Sequence, residues 1–255
     1  MLFGRESGTF ADMPAKPEHE LVAAARDLAA QANALRFAEP VAYVYNPLIY
    51  AWKAHEMYLR RFGASRKEVV FLGMNPGPFG MAQTGVPFGE IGAVRDWMKI
   101  QAPIDRPILE HPRRPVQGFA CRRSEISGQR LWGLFAQRFG SPEKFFPAHF
   151  VLNYCPLAFI EESGRNRTPD KLPSGEKDLL ARVCDTHLRR VLEWLRPKWV
   201  IGVGDFAARR AELVVGDLPL RIGRILHPSP ASPAANRGWA AQAAAQLVAL
   251  GVWTD

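Results

Sequence analysis

The sequence predicts an α/β fold with a parallel sheet covered on both faces. Two observations carry that reading. Four short apolar runs, residues 69–73, 148–152, 199–204 and 220–226, alternate with stretches of helical periodicity, and strand–helix alternation builds parallel sheets by right-handed crossovers. Three of the runs lead into a polar side chain: Asn75 after the first, Asn153 after the second, His227 after the fourth. In open α/β sheets ligands bind outside the carboxyl ends of the strands, so one sheet edge collects all three candidates.

The elements follow in order. Residues 1–16 read as a flexible N-terminal arm, and residues 17–255 as a single domain without repeat or linker; 255 residues with 47% hydrophobic content supply one sizeable core. Residues 18–37 place Leu21, Ala25, Leu28, Ala32 and Leu35 on one helical face. Residues 45–62 read as a second helix, apolar at Leu48, Trp52 and Met57. After the first strand, residues 91–100 form a short helix, and 102–125 are irregular, rich in proline and carrying Arg113, Arg114, Arg122 and Arg123. Helices follow over 128–139, 176–195 and 205–214, with a polar loop over 161–177. His187 falls on an apolar helical stripe and reads as a satisfied, half-buried side chain. Ser232 and Pro233 supply the cap and first turn of a last helix reaching Leu250.

Composition narrows the function classes. The formal net charge of +8 suits a polyanionic partner. Three widely spaced cysteines, Cys121, Cys155 and Cys184, form neither a disulfide framework nor a four-thiolate cluster and read as buried thiols. No apolar run approaches the ~20 residues of a membrane span, and the first residues lack the basic-then-apolar pattern of a secretory signal. No metal or cofactor is expected. The string Gly202-Val203-Gly204-Asp205-Phe206-Ala207 fits a dinucleotide fingerprint, but the acidic residue expected ~20 positions on is absent. Its glycines are read as allowing close helix–strand approach.

The stretch Val69–Gly89, VVFLGMNPGPFGMAQTGVPFG, organises the chain. A buried strand runs into Asn75-Pro76-Gly77-Pro78, a rigid turn that neither extends a strand nor opens a helix. Phe88, between Pro87 and Gly89, sits on a loop. The string GMNPGPFGMAQTGVPFGE resembles the first motif of the single-strand-selective monofunctional uracil-DNA glycosylases, FVLNYCPL (150–157) resembles the segment bearing their base-reading asparagine, and HPSP (227–230) resembles their second motif. The three occur in order, and the likeness runs from about Val41 to the C-terminus.

The resemblance implies a three-layer α/β/α sandwich with a central four-stranded parallel sheet. It also implies excision of uracil, and of small oxidised 5-substituted uracils such as 5-hydroxymethyluracil, from single- and double-stranded DNA by a monomeric enzyme. Such a protein belongs in the cytoplasm of a bacterium or the nucleus of a eukaryote. Breaking the base–sugar bond makes the sugar oxocarbenium-like and leaves negative charge on the base. By resemblance Asn75 places the attacking water and His227 donates to the uracil oxygen that gains charge, a hydrogen bond that strengthens as the bond breaks. Asn153 reads the base through one donor and one acceptor; cytosine would mismatch both, at roughly 2–6 kcal/mol. Phe88 stacks on the flipped base, and Met74, Gly77 and Pro78 line the pocket. No lysine neighbours these residues in sequence, so no Schiff base and no strand cleavage are expected.

DNA contacts are expected from Ser163, Arg165, Asn166, Arg167 and Lys171, in a segment matching GRN-x-TP, and from Ser229, Ala231, Ser232 and Arg237 after HPSP. There the family usually carries Arg-Asn where this chain has Ala231-Ser232; a weaker wedge and greater dependence on single strands or mispairs follow, and arginine at position 231 is expected to raise duplex activity. Two other readings fit parts of the pattern: a same-superfamily enzyme for deaminated purines, and a non-catalytic module for damaged bases or single strands.

Overall fold

The computed structural model describes residues 19–254; the arm expected over residues 1–16 lies outside them. The first half of the chain runs α1 (Glu20–Ala34), β1 (Val41–Tyr45), α2 (Pro47–Tyr50), α3 (Trp52–Phe62), β2 (Val69–Gly73), α4 (Met81–Thr84) and α5 (Ile126–Phe139). Then come α6 (Pro142–Phe145), β3 (His149–Asn153), β4 (Ala158–Glu161), β5 (Asn166–Arg167) and α7 (Ser174–Leu195). The chain finishes with β6 (Trp199–Val203), α8 (Asp205–Val215), β7 (Arg221–Ile225) and α9 (Trp239–Ala249).

The four strands expected from the apolar runs form one parallel sheet in the order β3-β2-β6-β7. Every residue of β2 and β3 is buried, as parallel strands covered on both faces must be. Register fixes the layers. Leu72 of β2 pairs with Gly202 of β6, and a Cβ on Gly202 would lie closer than 3.0 Å to the backbone of Ala208 in α8. Helix α8 therefore packs directly on that face. Phe71 points to the other face, where its ring meets Phe135 of α5 at 4.8 Å. Helix–sheet–helix layering follows, and the glycine of the dinucleotide-like string permits close packing. The free edge of β3 is covered by Tyr58, whose hydroxyl donates to the Val151 carbonyl at 2.8 Å and accepts from the Val151 N–H at 3.3 Å. A side chain thereby stands where another strand could pair.

Several expectations change. Residues 41–45 form a strand, not loop and helix start; β1, β4 and β5 make a second, antiparallel sheet that the sequence reading lacks. Its strands are 5, 4 and 2 residues long, and β1 is as long as each strand of the parallel sheet. The helix expected over 45–62 is broken at Ala51 and buries His55, Tyr58, Leu59 and Phe62, while Met57 is exposed. Residues 91–100 contain one π-helical turn, Ala93–Trp97. The last helix begins at Trp239; Ser232 instead caps a preceding turn, its Oγ accepting from Ala235 N–H at 3.4 Å. His187 is buried with Nδ1 3.2 Å from the Ala24 carbonyl, and the three cysteines are buried and unpaired.

Candidate active site

Three strand ends meet at one edge of the parallel sheet. Gly73 closes β2 and is the register partner of Asn153, the last residue of β3. A Cβ on Gly73 would lie closer than 3.0 Å to Asn153 Oδ1 and to Phe88 Cε2, so glycine lets the amide and the ring close over the tip of β2. Gly204 follows β6 with φ +93°, and a Cβ there would stand 3.1 Å from His227 Cβ. Its N–H donates to the Ile225 carbonyl at 2.9 Å, holding the end of β7 beside it. The second dinucleotide-like glycine thus makes room for a histidine.

These ends enclose a cavity of about 300 Å³ lined by Met74, Asn75, Gly77, Pro78, Phe88, Asn153 and His227, every base-pocket residue named from the sequence. Five other residues line it outside those readings, Pro76, Met81, Glu125, Ser127 and Thr168, and Ser229, expected at DNA, lines it as well. Asn166, also expected at DNA, lines it too, because β5 carries it against β4.

Each polar group has a defined orientation. Asn75 Nδ2 donates to the Leu157 carbonyl at 3.1 Å, which leaves Oδ1 as its open acceptor. Asn153 is buried, and its Oδ1 has no hydrogen-bond partner while Nδ2 reaches only the Met81 sulfur at 3.2 Å. A buried amide without partners is costly; a ligand edge with one donor and one acceptor would satisfy it. Asn166 Oδ1 is likewise buried and unpartnered. His227 Nδ1 accepts from Ser229 N–H at 3.1 Å, so in the neutral ring the proton sits on Nε2. Burial lowers the His227 pKa below its ordinary value, which favours the neutral ring. Phe88 holds φ at 53°, a left-handed conformation that a bulky residue avoids. Its ring lies 6.4 Å from that of His227.

Glu125 had no signal in the sequence. It stands at the N-cap of α5, but its side chain does not cap that helix; Oε2 accepts from Phe79 N–H at 3.2 Å. A Cβ on Gly77 would lie closer than 3.0 Å to Oε2 and Cδ of Glu125, and one on Gly80 closer than 3.0 Å to its Cγ. The two glycines of the NPGPFG turn thus admit this carboxyl. Burial raises its pKa, with the Phe79 N–H acting in the opposite sense. No cation lies within 4.0 Å of it among the described residues.

Comparison with known proteins matches this architecture. The model of the Uracil DNA glycosylase superfamily covers residues 60–249. The single-strand selective monofunctional uracil DNA glycosylase of Mus musculus is 48% identical over 227 residues, spanning 88% of this chain and 81% of the mouse protein. Its Bos taurus counterpart is 49% identical over 220 residues, covering 86% and 81% respectively. The chain belongs to the single-strand selective monofunctional uracil-DNA glycosylase family. Among solved structures, that of SMUG2 from Pedobacter heparinus superposes with a TM-score of 0.63 at 15% identity, covering 90% of this chain and 99% of that one, a likeness of fold.

In this member of the glycosylase family the segments expected at DNA are arranged unevenly. Arg165 and Arg167 both donate to Glu161 Oε1, at 2.9 and 2.8 Å. Arg167 also donates to the Lys171 carbonyl, and Lys171 pairs with Asp170. Ser163 is exposed and accepts from Arg165 N–H. The charge of this loop is largely neutralised from within. Arg122 and Arg123 are exposed in the segment leading to Glu125, Arg123 stacking 3.8 Å over Phe79 and Arg114 lying 5.3 Å from the same ring. Arg114 also donates to the Gly164 carbonyl at 2.8 Å, joining the arginine-rich segment to the 163–171 loop.

The turn after HPSP exposes Ala231 and Arg237, with Ser232 half-buried. It is braced by Arg130, missed from the sequence, which donates to the Pro228 carbonyl at 3.0 Å and to Asn236 Oδ1 at 2.9 Å. Asn236 in turn donates to the Pro230 carbonyl at 2.9 Å. The turn expected to act as a wedge is therefore well braced even though its tip is alanine.

Proposed function

We propose that this chain hydrolyses the N-glycosidic bond of uracil in DNA, releasing the free base and leaving an abasic site, without a lyase step. The observation that carries the reading is that Asn75, Phe88, Asn153 and His227 line one cavity, with the buried Asn153 Oδ1 unpartnered. Uracil flipped into it would present N3–H to that oxygen and O4 to Nδ2, and stack on Phe88. Cytosine would set donor against donor and acceptor against acceptor.

Bond cleavage then follows from the two sides of the base–sugar link. As the N1–C1′ bond lengthens, negative charge gathers on the uracil oxygen beside it, and the neutral His227 ring offers Nε2–H to that oxygen. The sugar becomes cationic. Asn75, its amide pinned by Leu157, holds a water through Oδ1 for addition at C1′. An amide suffices to position the water because the electrophile is already strong. The same pocket is proposed to admit 5-hydroxymethyluracil, and Ala231 at the wedge to favour single strands and mispairs over perfect duplex.

The test incubates the protein with a labelled strand bearing one uracil, single and in duplex, beside Asn75→Ala and His227→Ala. Uracil release by the parent and severe loss in both variants is the expected result; tight binding without release, unchanged by Asn75→Ala, would favour a binding module. Hypoxanthine and xanthine strands separate this reading from a purine enzyme.

A further inference from the structure

The reaction proposed above generates a positive sugar, yet neither Asn75 nor neutral His227 carries a charge to meet it. Met81, Phe88 and Asn153 are buried and form the floor, where the base belongs. Asn75 and Glu125 are half-buried and stand nearer the opening, where the sugar remains attached to its strand. Glu125 is the one carboxylate among the lining residues. It is withheld from its own helix N-terminus, pressed against Gly77, two residues from Asn75, and held by a single backbone N–H. A carboxylate partly withdrawn from water without a cationic partner costs stability, and such groups cluster where a reaction supplies the missing charge.

We infer that Glu125 is a further catalytic residue: its carboxylate faces the sugar, stabilises the cation that forms there, and accepts the proton released when water adds. This rests on the glycosylase reading. In balance, the N1–C1′ electron pair leaves with uracil, a water oxygen forms the new bond to C1′, and one water proton passes to Glu125. The carboxylate thus supplies, from the start of α5, a negative charge that the amide at the tip of β2 lacks. The same charge opposes the approach of DNA phosphates, so removing it should affect catalysis and binding in opposite directions. A group acting only as a brace for the NPGPFG turn would not do so.

The test compares the parent chain with Glu125→Gln, which keeps an acceptor for Phe79 N–H. Single-turnover release from a uracil strand is measured together with the dissociation constant for a strand without uracil. The expected result is a rate loss of about 10²-fold with binding unchanged or tighter. A loss under 10-fold, or a loss matched by equally weakened binding, overturns the inference. Should thermal melting show Glu125→Gln to be unfolded, Glu125→Ala with and without formate decides: restored rate supports the inference, none overturns it. An inactive parent chain would instead reject the underlying reading of the site.

Discussion

Ser229 donates its backbone N–H to Nδ1 of His227 at 3.1 Å, which sets which nitrogen of that ring carries the proton. Burial lowers the pKa of the same ring. The donor proposed for the leaving base is therefore a neutral imidazole above pH 6.5. Uracil release should not fall as the pH rises from 6.5 to 8.5, as it would if imidazolium were needed. His227→Ala should cost about 10²–10³ in rate. A pH–rate profile of single-turnover release checks both.

Asn153 exchanges stability for recognition. Its Oδ1 is buried and unpaired in the free protein, so Asn153→Ala removes an unsatisfied acceptor while leaving a small void. These effects oppose each other, and the melting temperature should change little. Uracil release should fall by at least about 30-fold, the loss of ~2 kcal/mol or more from a mismatched buried edge. Melting and activity measured on the same preparation check this pairing.

Gly202 is required by packing. A methyl group there would strike the backbone of Ala208, and overpacking of that kind costs typically 1–3 kcal/mol. Gly202→Ala should unfold at lower denaturant concentration. No dinucleotide should bind either protein, as cofactor titration would show.

The surface arginines should divide by their partners. Arg122 and Arg123 are exposed in the segment leading to Glu125, whereas Arg165 and Arg167 are held by Glu161. Replacing Arg122 and Arg123 by Gln should lower the slope of log affinity against log salt for single strands by about 0.7 for each phosphate left without its arginine. Replacing Arg165 should alter it less. Binding titrations across a range of salt concentrations check the contrast.

Acid should destabilise the fold in a particular window. His55, His149 and His187 are buried and bonded to backbone carbonyls, and burial lowers each pKa to about 4. Unfolded histidines bind protons below about pH 6.5 while these stay neutral. Their contribution is fully present above 6.5 and is lost as pH falls toward 4, by up to about 3 kcal/mol each. The melting temperature should drop across that interval, and replacing His187 by Gln should blunt the drop.

Local patterns in the sequence were enough to determine the four parallel strands and the polar residues at their tips. Each strand is a short apolar run between breakers, and a parallel sheet puts all its carboxyl ends at one edge. The NPGPFG turn, Phe88 on its loop and the HPSP histidine were legible for the same reason, since proline and glycine fix backbone locally. The antiparallel strands at residues 41–45, 158–161 and 166–167 were not, because these strands exist only through pairing partners more than 100 residues away in the case of β1 and β4. Tertiary structure alone placed Glu125 against Gly77, Arg130 against the turn after HPSP, and Glu161 between the two arginines of the 163–171 loop. A charge's role depends on its nearest neighbours in space, and for these residues the decisive neighbours lie on other elements of the fold.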